Sequence, residues 1–128
     1  MANWTGSETS DIVYDDRDNK FTTLLIASGH LNSQHWASNR PKYFIEVKTT
    51  TNFLDTPFFV SHNQFQDMED MKLPEQSASN KVYLIARVFK VGLAGMGLKL
   101  YLDPARLRLD GELLFKTDKY EVTPVFRV

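Results

Sequence analysis

The stretch YFIEVKTTT, residues 43–51, places two charged side chains in the middle of an otherwise β-prone run. Aromatic, β-branched and threonine residues favour a strand. Side chains alternate along a strand, so Glu46 and Lys48 share one face, about 7 Å apart, while Ile45 and Val47 share the other. The run therefore predicts a strand from which a carboxylate and an amine project together.

This pair has two interpretations. Glu46 and Lys48 match the E-x-K half of the PD-(D/E)xK motif of metal-dependent nucleases, in which the acid holds a hard cation and the lysine handles the attacking water. The same spacing on a solvated strand face gives a surface ion pair, which contributes little to stability. A second acidic run, SDIVY at residues 10–14, is also β-prone and leads into turn-forming residues 15–20. A strand there could bring Asp11 opposite Glu46.

A strand, a helix and a second strand follow in order. Ser61 and Gln64 form a capping box, which predicts a helix with Phe65 and Met68 on its apolar face. Residues 81–91 alternate with apolar side chains on both faces, which is typical of a central strand. The order predicts a βαβ crossover with the E-x-K strand parallel to the later one.

The remaining segments give weaker signals. Residues 21–26 (FTTLLI) favour a strand, and the glycine-rich residues 92–97 favour a flexible turn before a strand at 98–102. The Asp103-Pro104 pair predicts a turn, and the β-like run at 112–115 is expected to pack on the edge of the sheet.

Four segments in order carry a family resemblance: residues 10–14, 43–50, 56–65 and 81–89. They resemble the NO VEIN C-terminal domain family, over about residues 4 to 89. That family is similar to a divergent branch of the restriction-endonuclease-like PD-(D/E)xK fold, and its members often end long proteins that carry an ATPase or helicase region. The resemblance implies that this domain is part of, or partner to, a larger multidomain protein.

The resemblance also implies a site. Asp11, Glu46 and Lys48 fall on its catalytic positions, and Asp11 and Glu46, with the Val47 carbonyl, would bind Mg²⁺ or Mn²⁺. The expected reaction is hydrolysis of a phosphodiester in DNA or RNA. Two alternatives stay open: a nucleic-acid-binding module that has lost catalysis, and a protein-interaction module.

We therefore expect a single α/β (α+β) domain over residues 1–128, with a mixed sheet of about 5–7 strands and one or two helices. The restriction-endonuclease-like core would lack its usual N-terminal helix, because few residues precede Asp11. A surface insertion is expected at 28–42 and a basic β extension at 98–128.

Charge is unevenly distributed along a chain whose net charge is −1. Residues 81–128 hold most of the lysines and arginines, and Lys99, Arg106 and Arg108 are candidates for phosphate contacts. Solvated strand faces give the same pattern.

The chain has no cysteine, which excludes disulfides and thiolate zinc sites. It shows no secretory leader and no apolar run near ~20 residues, so we expect an intracellular protein, nuclear or cytoplasmic, without a membrane partner.

Overall fold

The computed structural model describes residues 11–116 and 121–126. Within them the chain forms seven strands and four helices, which confirms the predicted mixed α and β class. In chain order these are β1 (Ile12–Asp15), α1 (Lys20–Ala27), α2 (Ser33–Trp36), β2 (Lys42–Thr49), β3 (Phe58–Phe59), α3 (His62–Asp70), β4 (Lys81–Phe89), β5 (Gly97–Leu102), α4 (Pro104–Leu109), β6 (Leu113–Lys116) and β7 (Glu121–Pro124).

The main sheet has four strands in the order β1-β2-β4-β5. The β2 and β4 strands are parallel and the other two pairings are antiparallel, so the predicted crossover through α3 is confirmed. Residues 82–87 of β4 are all buried, as expected for a strand covered on both faces. The capping box of Ser61 and Gln64 is also present at the start of α3.

Two hydrophobic cores lie on opposite faces of this sheet. One is built from β2 and β4 with α1 and α2, and it includes Leu25, Trp36 and Leu84. The other lies under α3, α4 and the smaller sheet, and it includes Met68 and Ile85. The second core covers the face of β2 that carries Glu46, because Glu46 and Ile85 are register partners on neighbouring parallel strands.

The C-terminal segment departs from the prediction. Its strands β6 and β7 join β3 in a separate sheet, ordered β3-β7-β6, instead of extending the edge of the main sheet. Their apolar residues Leu113 and Val122 are fully buried in the second core, which explains why this sheet lies over a face. The expected turn at Asp103 is followed directly by helix α4, with Pro104 at a helix-starting position where proline is well tolerated.

Two N-terminal expectations also change. Residues 21–26, predicted as a strand, belong to helix α1, so the chain has more helices than the one or two expected. The segment expected as a surface insertion at 28–42 contains the short helix α2, and Leu31 and Trp36 are buried in the first core. The expected absence of an N-terminal helix concerns residues 1–10, which lie outside the described residues.

Helix α1 forms because a buried carboxylate binds its first N–H groups. Asp16 is fully buried and accepts hydrogen bonds from the backbone N–H of Phe21 at 3.1 Å and of Thr22 at 2.7 Å. The Thr22 hydroxyl also donates to Asp16 at 2.6 Å and lies 2.7 Å from the Tyr43 hydroxyl on β2. The hydrogen bonds to Asp16 and the contact between Thr22 and Tyr43 together outweigh the β propensity of this segment.

We expect Asp16→Asn to lower the free energy of unfolding by about 1 to 3 kcal/mol at pH 7, because it leaves buried donors without their acceptor. Burial opposes ionisation of Asp16, but the hydrogen bonds from Thr22 and Phe21 outweigh it and lower its pKa. The contribution is therefore complete above the usual pKa of 3.8 and is lost as the pH falls through the lower folded value. Urea unfolding at pH 7 and below pH 4 measures it. The exposed Asp18→Asn is the control, and an equal loss in both variants would contradict the assignment.

Candidate functional site

The first two predicted site residues lie on neighbouring segments, Asp11 directly before β1 and Glu46 on β2. The antiparallel register pairs Ile12 with Ile45, so one further step brings Asp11 opposite Glu46 on the same face. The Oδ2 atom of Asp11 accepts a hydrogen bond of 2.8 Å from the Val47 N–H. This bond anchors the Asp11 carboxylate to the strand that carries Glu46.

Glu46 is a buried carboxylate with one oxygen engaged and one oxygen without a partner. Its Oε1 atom accepts a hydrogen bond of 2.7 Å from Gln64 Nε2 and lies 3.4 Å from Lys48 Nζ. Its Oε2 atom is buried and has no hydrogen-bond partner among the described residues. Burial raises the pKa of Glu46, and the charge of Asp11 adds to this, while Lys48 and Gln64 act in the opposite direction. The surface ion pair considered from the sequence is therefore a largely buried one.

Gln64 joins the helix cap to the charged pair. Its Oε1 atom accepts from the Ser61 N–H at 2.8 Å, which completes the capping box, and from Lys48 Nζ at 3.4 Å. Its amide group donates to Glu46. The sequence predicted the cap but not the contact with Glu46. The signal was present, because a crossover helix begins near the carboxyl end of the strand before it.

Tyr83 is a further polar residue that the sequence did not identify. It lies on β4 as the register partner of Phe44, and its hydroxyl is buried without a hydrogen-bond partner. Burial raises its pKa far above the usual range, and the negative charges of Glu46 and Asp67 add to the effect. The Tyr83 phenol is therefore neutral and lies close enough to Glu46 and Asp67 for their charges to affect its pKa.

The donor atoms suit a hard divalent cation. No group of three or more His, Cys, Asp or Glu side chains in the described ranges is arranged to hold a metal ion. Mg²⁺, however, commonly binds through one or two carboxylates and keeps several waters. Asp11 and Glu46 supply such a pair, and the unpartnered Glu46 Oε2 is a free ligand atom. The Val47 backbone faces Asp11 through its N–H, and its carbonyl leaves the strand on the same side.

The three predicted phosphate-binding residues make different contacts. Lys99 is the register partner of Arg87, and its ammonium lies 5.6 Å from the centre of the Tyr101 ring. By contrast, Arg106 and Arg108 form ion pairs of 3.3 Å with Glu75 and Glu69. Much of the charge on both arginines is therefore offset by these carboxylates.

Arg87, which the sequence offered only as one of several basic residues, lies beside the site. Along the parallel register it is the partner of Lys48, so the two side chains share the face that carries Glu46. Arg87 is 1% exposed, and such burial is rare for an arginine. Its position could not be recognised without the strand pairing.

Comparison of the chain with models of protein families, with characterised proteins and with solved structures found no match. Within the described ranges, no helix has the length and apolar character needed to cross a membrane.

We expect Glu46→Gln to stabilise the domain at pH 7 in metal-free buffer. The folded state holds the Glu46 proton to higher pH than the unfolded state, so ionisation costs stability as the pH rises above the usual value of 4.5. The variant escapes this cost, and its gain relative to the unmodified chain should grow as the pH rises from 4 to 7. Thermal unfolding followed by circular dichroism across this range measures it. Glu112→Gln, which removes an exposed carboxylate, is the control, and a flat difference for Glu46→Gln would show that its burial has no energetic cost.

Proposed function

We propose that this domain is a nuclease-like domain, related to the NO VEIN C-terminal family, that hydrolyses phosphodiester bonds of nucleic acid with Mg²⁺ or Mn²⁺. The observation that supports it best is the buried Glu46 carboxylate, which has an unpartnered oxygen and lies beside Lys48. A surface ion pair needs neither the burial nor the amide that holds Glu46 in place. Asp11 supplies the second acidic group of the proposed site.

Each residue has a distinct task in this proposal. Asp11 and Glu46 would hold the cation with help from the Val47 carbonyl, and Gln64 fixes the orientation of the Glu46 carboxylate. When bound, the ion would neutralise charge on the scissile phosphate and lower the pKa of a coordinated water. Lys48, whose side chain is only 20% exposed, would position the attacking water and attract the phosphate.

Glu46→Ala should abolish metal-dependent cleavage while the domain stays folded. The reason is the loss of one of the two carboxylates that would bind the metal ion, which leaves only Asp11 of the proposed pair. The measurement is cleavage of labelled single- and double-stranded DNA and RNA with Mg²⁺ or Mn²⁺, with folding checked by circular dichroism. Glu112→Ala is the matched control. Full cleavage by a folded Glu46→Ala would sink the proposal.

A pair of variants separates the two contacts of Gln64. Ser61→Ala and Gln64→Ala each remove half of the capping box and should each lower the free energy of unfolding by about 1 kcal/mol. Only Gln64→Ala also releases Glu46 and Lys48. We therefore expect kcat for cleavage, and the Mg²⁺ concentration at half-maximal rate, to change in Gln64→Ala and to stay unchanged in Ser61→Ala. Equal rates in both variants would reduce Gln64 to a helix cap.

A second candidate, a protein-interaction module within a larger multidomain protein, is favoured by an exposed apolar groove beside the edge strand β1. Its lining includes Ile12, Tyr14, Phe21, Leu24 and Ile45. Leu24 is 61% exposed, and contiguous apolar patches on monomers often mark interaction sites. Absence of both metal binding and nucleic-acid binding would favour this function. Metal-independent nucleic-acid binding would instead favour a binding module that has lost catalysis.

A further inference from the structure

A pocket of about 340 Å³ opens next to Lys48, on the side of the sheet that carries Glu46. It lies between the carboxyl ends of the parallel strands β2 and β4 and the short strand β3. Its lining includes Lys48, Phe58, Phe59 and Arg87. Ligands of open α/β sheets commonly bind at the carboxyl ends of parallel strands, so the location itself suits a binding site.

Arg87 is a buried cation of this pocket that has no carboxylate partner among residues 11–116 and 121–126. Its Nη2 atom donates to the Thr56 carbonyl at 3.0 Å, and its guanidinium lies 4.8 Å from the centre of the Phe58 ring. Its Nε atom is buried and has no hydrogen-bond partner in the part of the chain that the structure describes. None of the ion pairs in the described part of the chain includes Arg87, and burial lowers its pKa.

A buried charge of this kind is costly unless an opposite charge accompanies it. The pocket can admit such a group, because two of its lining residues are cations and none of its described lining residues is acidic. Guanidinium groups match the geometry of phosphate oxygens, and the Lys48 ammonium, which lies 3.4 Å from Glu46 Oε1, is the second cation at the pocket. The chemistry of the pocket therefore favours a phosphate group.

The pocket also carries an aromatic surface. Phe58 is buried against the guanidinium, whereas the neighbouring Phe59 is 55% exposed. Bases stack on exposed aromatic side chains in single-stranded nucleic-acid sites, with little dependence on the base sequence. A phosphate next to Phe59 would place a base within reach of its ring.

We propose that this pocket binds the phosphate group of a nucleotide through Arg87 and Lys48, with Phe59 contacting the attached base. Its link to cleavage, as the subsite for the phosphate next to the scissile one, rests on the proposed function. Binding itself requires no metal, because the contacts come from side chains of this chain. A preference for unpaired strands follows, since a base paired in a duplex is not free to stack on Phe59.

The test measures binding to the full chain in a chelating buffer. The probes are inorganic phosphate, thymidine 5′-monophosphate, thymidine, and short oligothymidylates with and without a terminal phosphate. We expect the monophosphate to bind and thymidine not to bind. Preference for the phosphorylated oligonucleotide would identify a chain end as the ligand, and equal binding of both oligonucleotides an internal phosphate. Inorganic phosphate binding as tightly as every nucleotide would overturn the contact with Phe59.

Variants locate the site. Arg87→Met should weaken monophosphate binding at least tenfold, whereas Arg17→Met, which removes an exposed arginine paired with Asp15, should leave it unchanged. Phe59→Ala should weaken nucleotide binding but not phosphate binding. Because Arg87 is buried, a measurement on the unmodified chain accompanies the variants: the Arg87 Nε–H resonance should shift as phosphate is added. An unmoved resonance, or a folded Arg87→Met with unchanged affinity, would overturn the proposal.

The Glu46→Gln variant distinguishes phosphate binding by the pocket from cleavage of nucleic acid. It should lose cleavage yet keep phosphate binding in the chelating buffer. Phosphate binding by a chain that cleaves nothing would leave the pocket in place and remove the nuclease. Cleavage that depends on Glu46 but is unchanged in Arg87→Met would support the nuclease and contradict a role of the pocket in cleavage.

Discussion

The parallel pairing of β2 with β4 is the constraint on which the rest of the fold depends. It runs from Lys42 with Lys81 to Thr49 with Val88 and places helix α3 across one face of the sheet. Parallel strands covered on both faces are normally apolar, and β4 follows this rule over residues 82–86. The β2 strand departs from it at Glu46 and Lys48, near its carboxyl end. At that end the connection to α3 leaves room for polar groups.

This geometry makes the site a product of several elements. The register of β1 places Asp11 next to β2, and the register of β4 places Arg87 on the face that carries Glu46. The crossover places the start of α3, with Gln64, beside Glu46. Gln64 is the connecting residue, because one amide caps the helix and holds the carboxylate of Glu46. The start of α3 and the charged part of β2 are thus fixed relative to each other by hydrogen bonds as well as by packing.

The parts that sequence could predict are those set by local periodicity. Alternation along β2 and β4 and the Ser61 capping box are local signals, and the parallel pairing follows from their order. Helix α1 could not be predicted this way, because its start is fixed by Asp16 and its sequence favours a strand. The small sheet was missed for a similar reason, since a two-residue strand such as Phe58–Phe59 has no period to read.

The candidate site divides along the same line. Asp11 and Glu46 could be placed on one face from alternation and a guessed pairing, and the structure attaches Asp11 to β2 through the Val47 N–H. Tyr83 and Arg87 required the strand register, which no local pattern contains. Their polar atoms matter because they are buried, and burial depends on the core that forms above them.

Glu46 and Arg87 show what the fold does with buried charge. They lie on adjacent strands and on one face, so a direct ion pair between them would be the simplest way to offset both charges. In the described structure they form no such pair: Glu46 is held by Gln64 and Lys48, and Arg87 by the Thr56 carbonyl and the Phe58 ring. Each keeps one buried polar atom without a partner, Oε2 of Glu46 and Nε of Arg87. A structural role favours neutralising such groups within the protein, because unpartnered buried atoms lower stability. Two unsatisfied atoms of opposite character, one suited to a cation and the other to an anion, are instead what we expect of the proposed site for a metal ion and a phosphate.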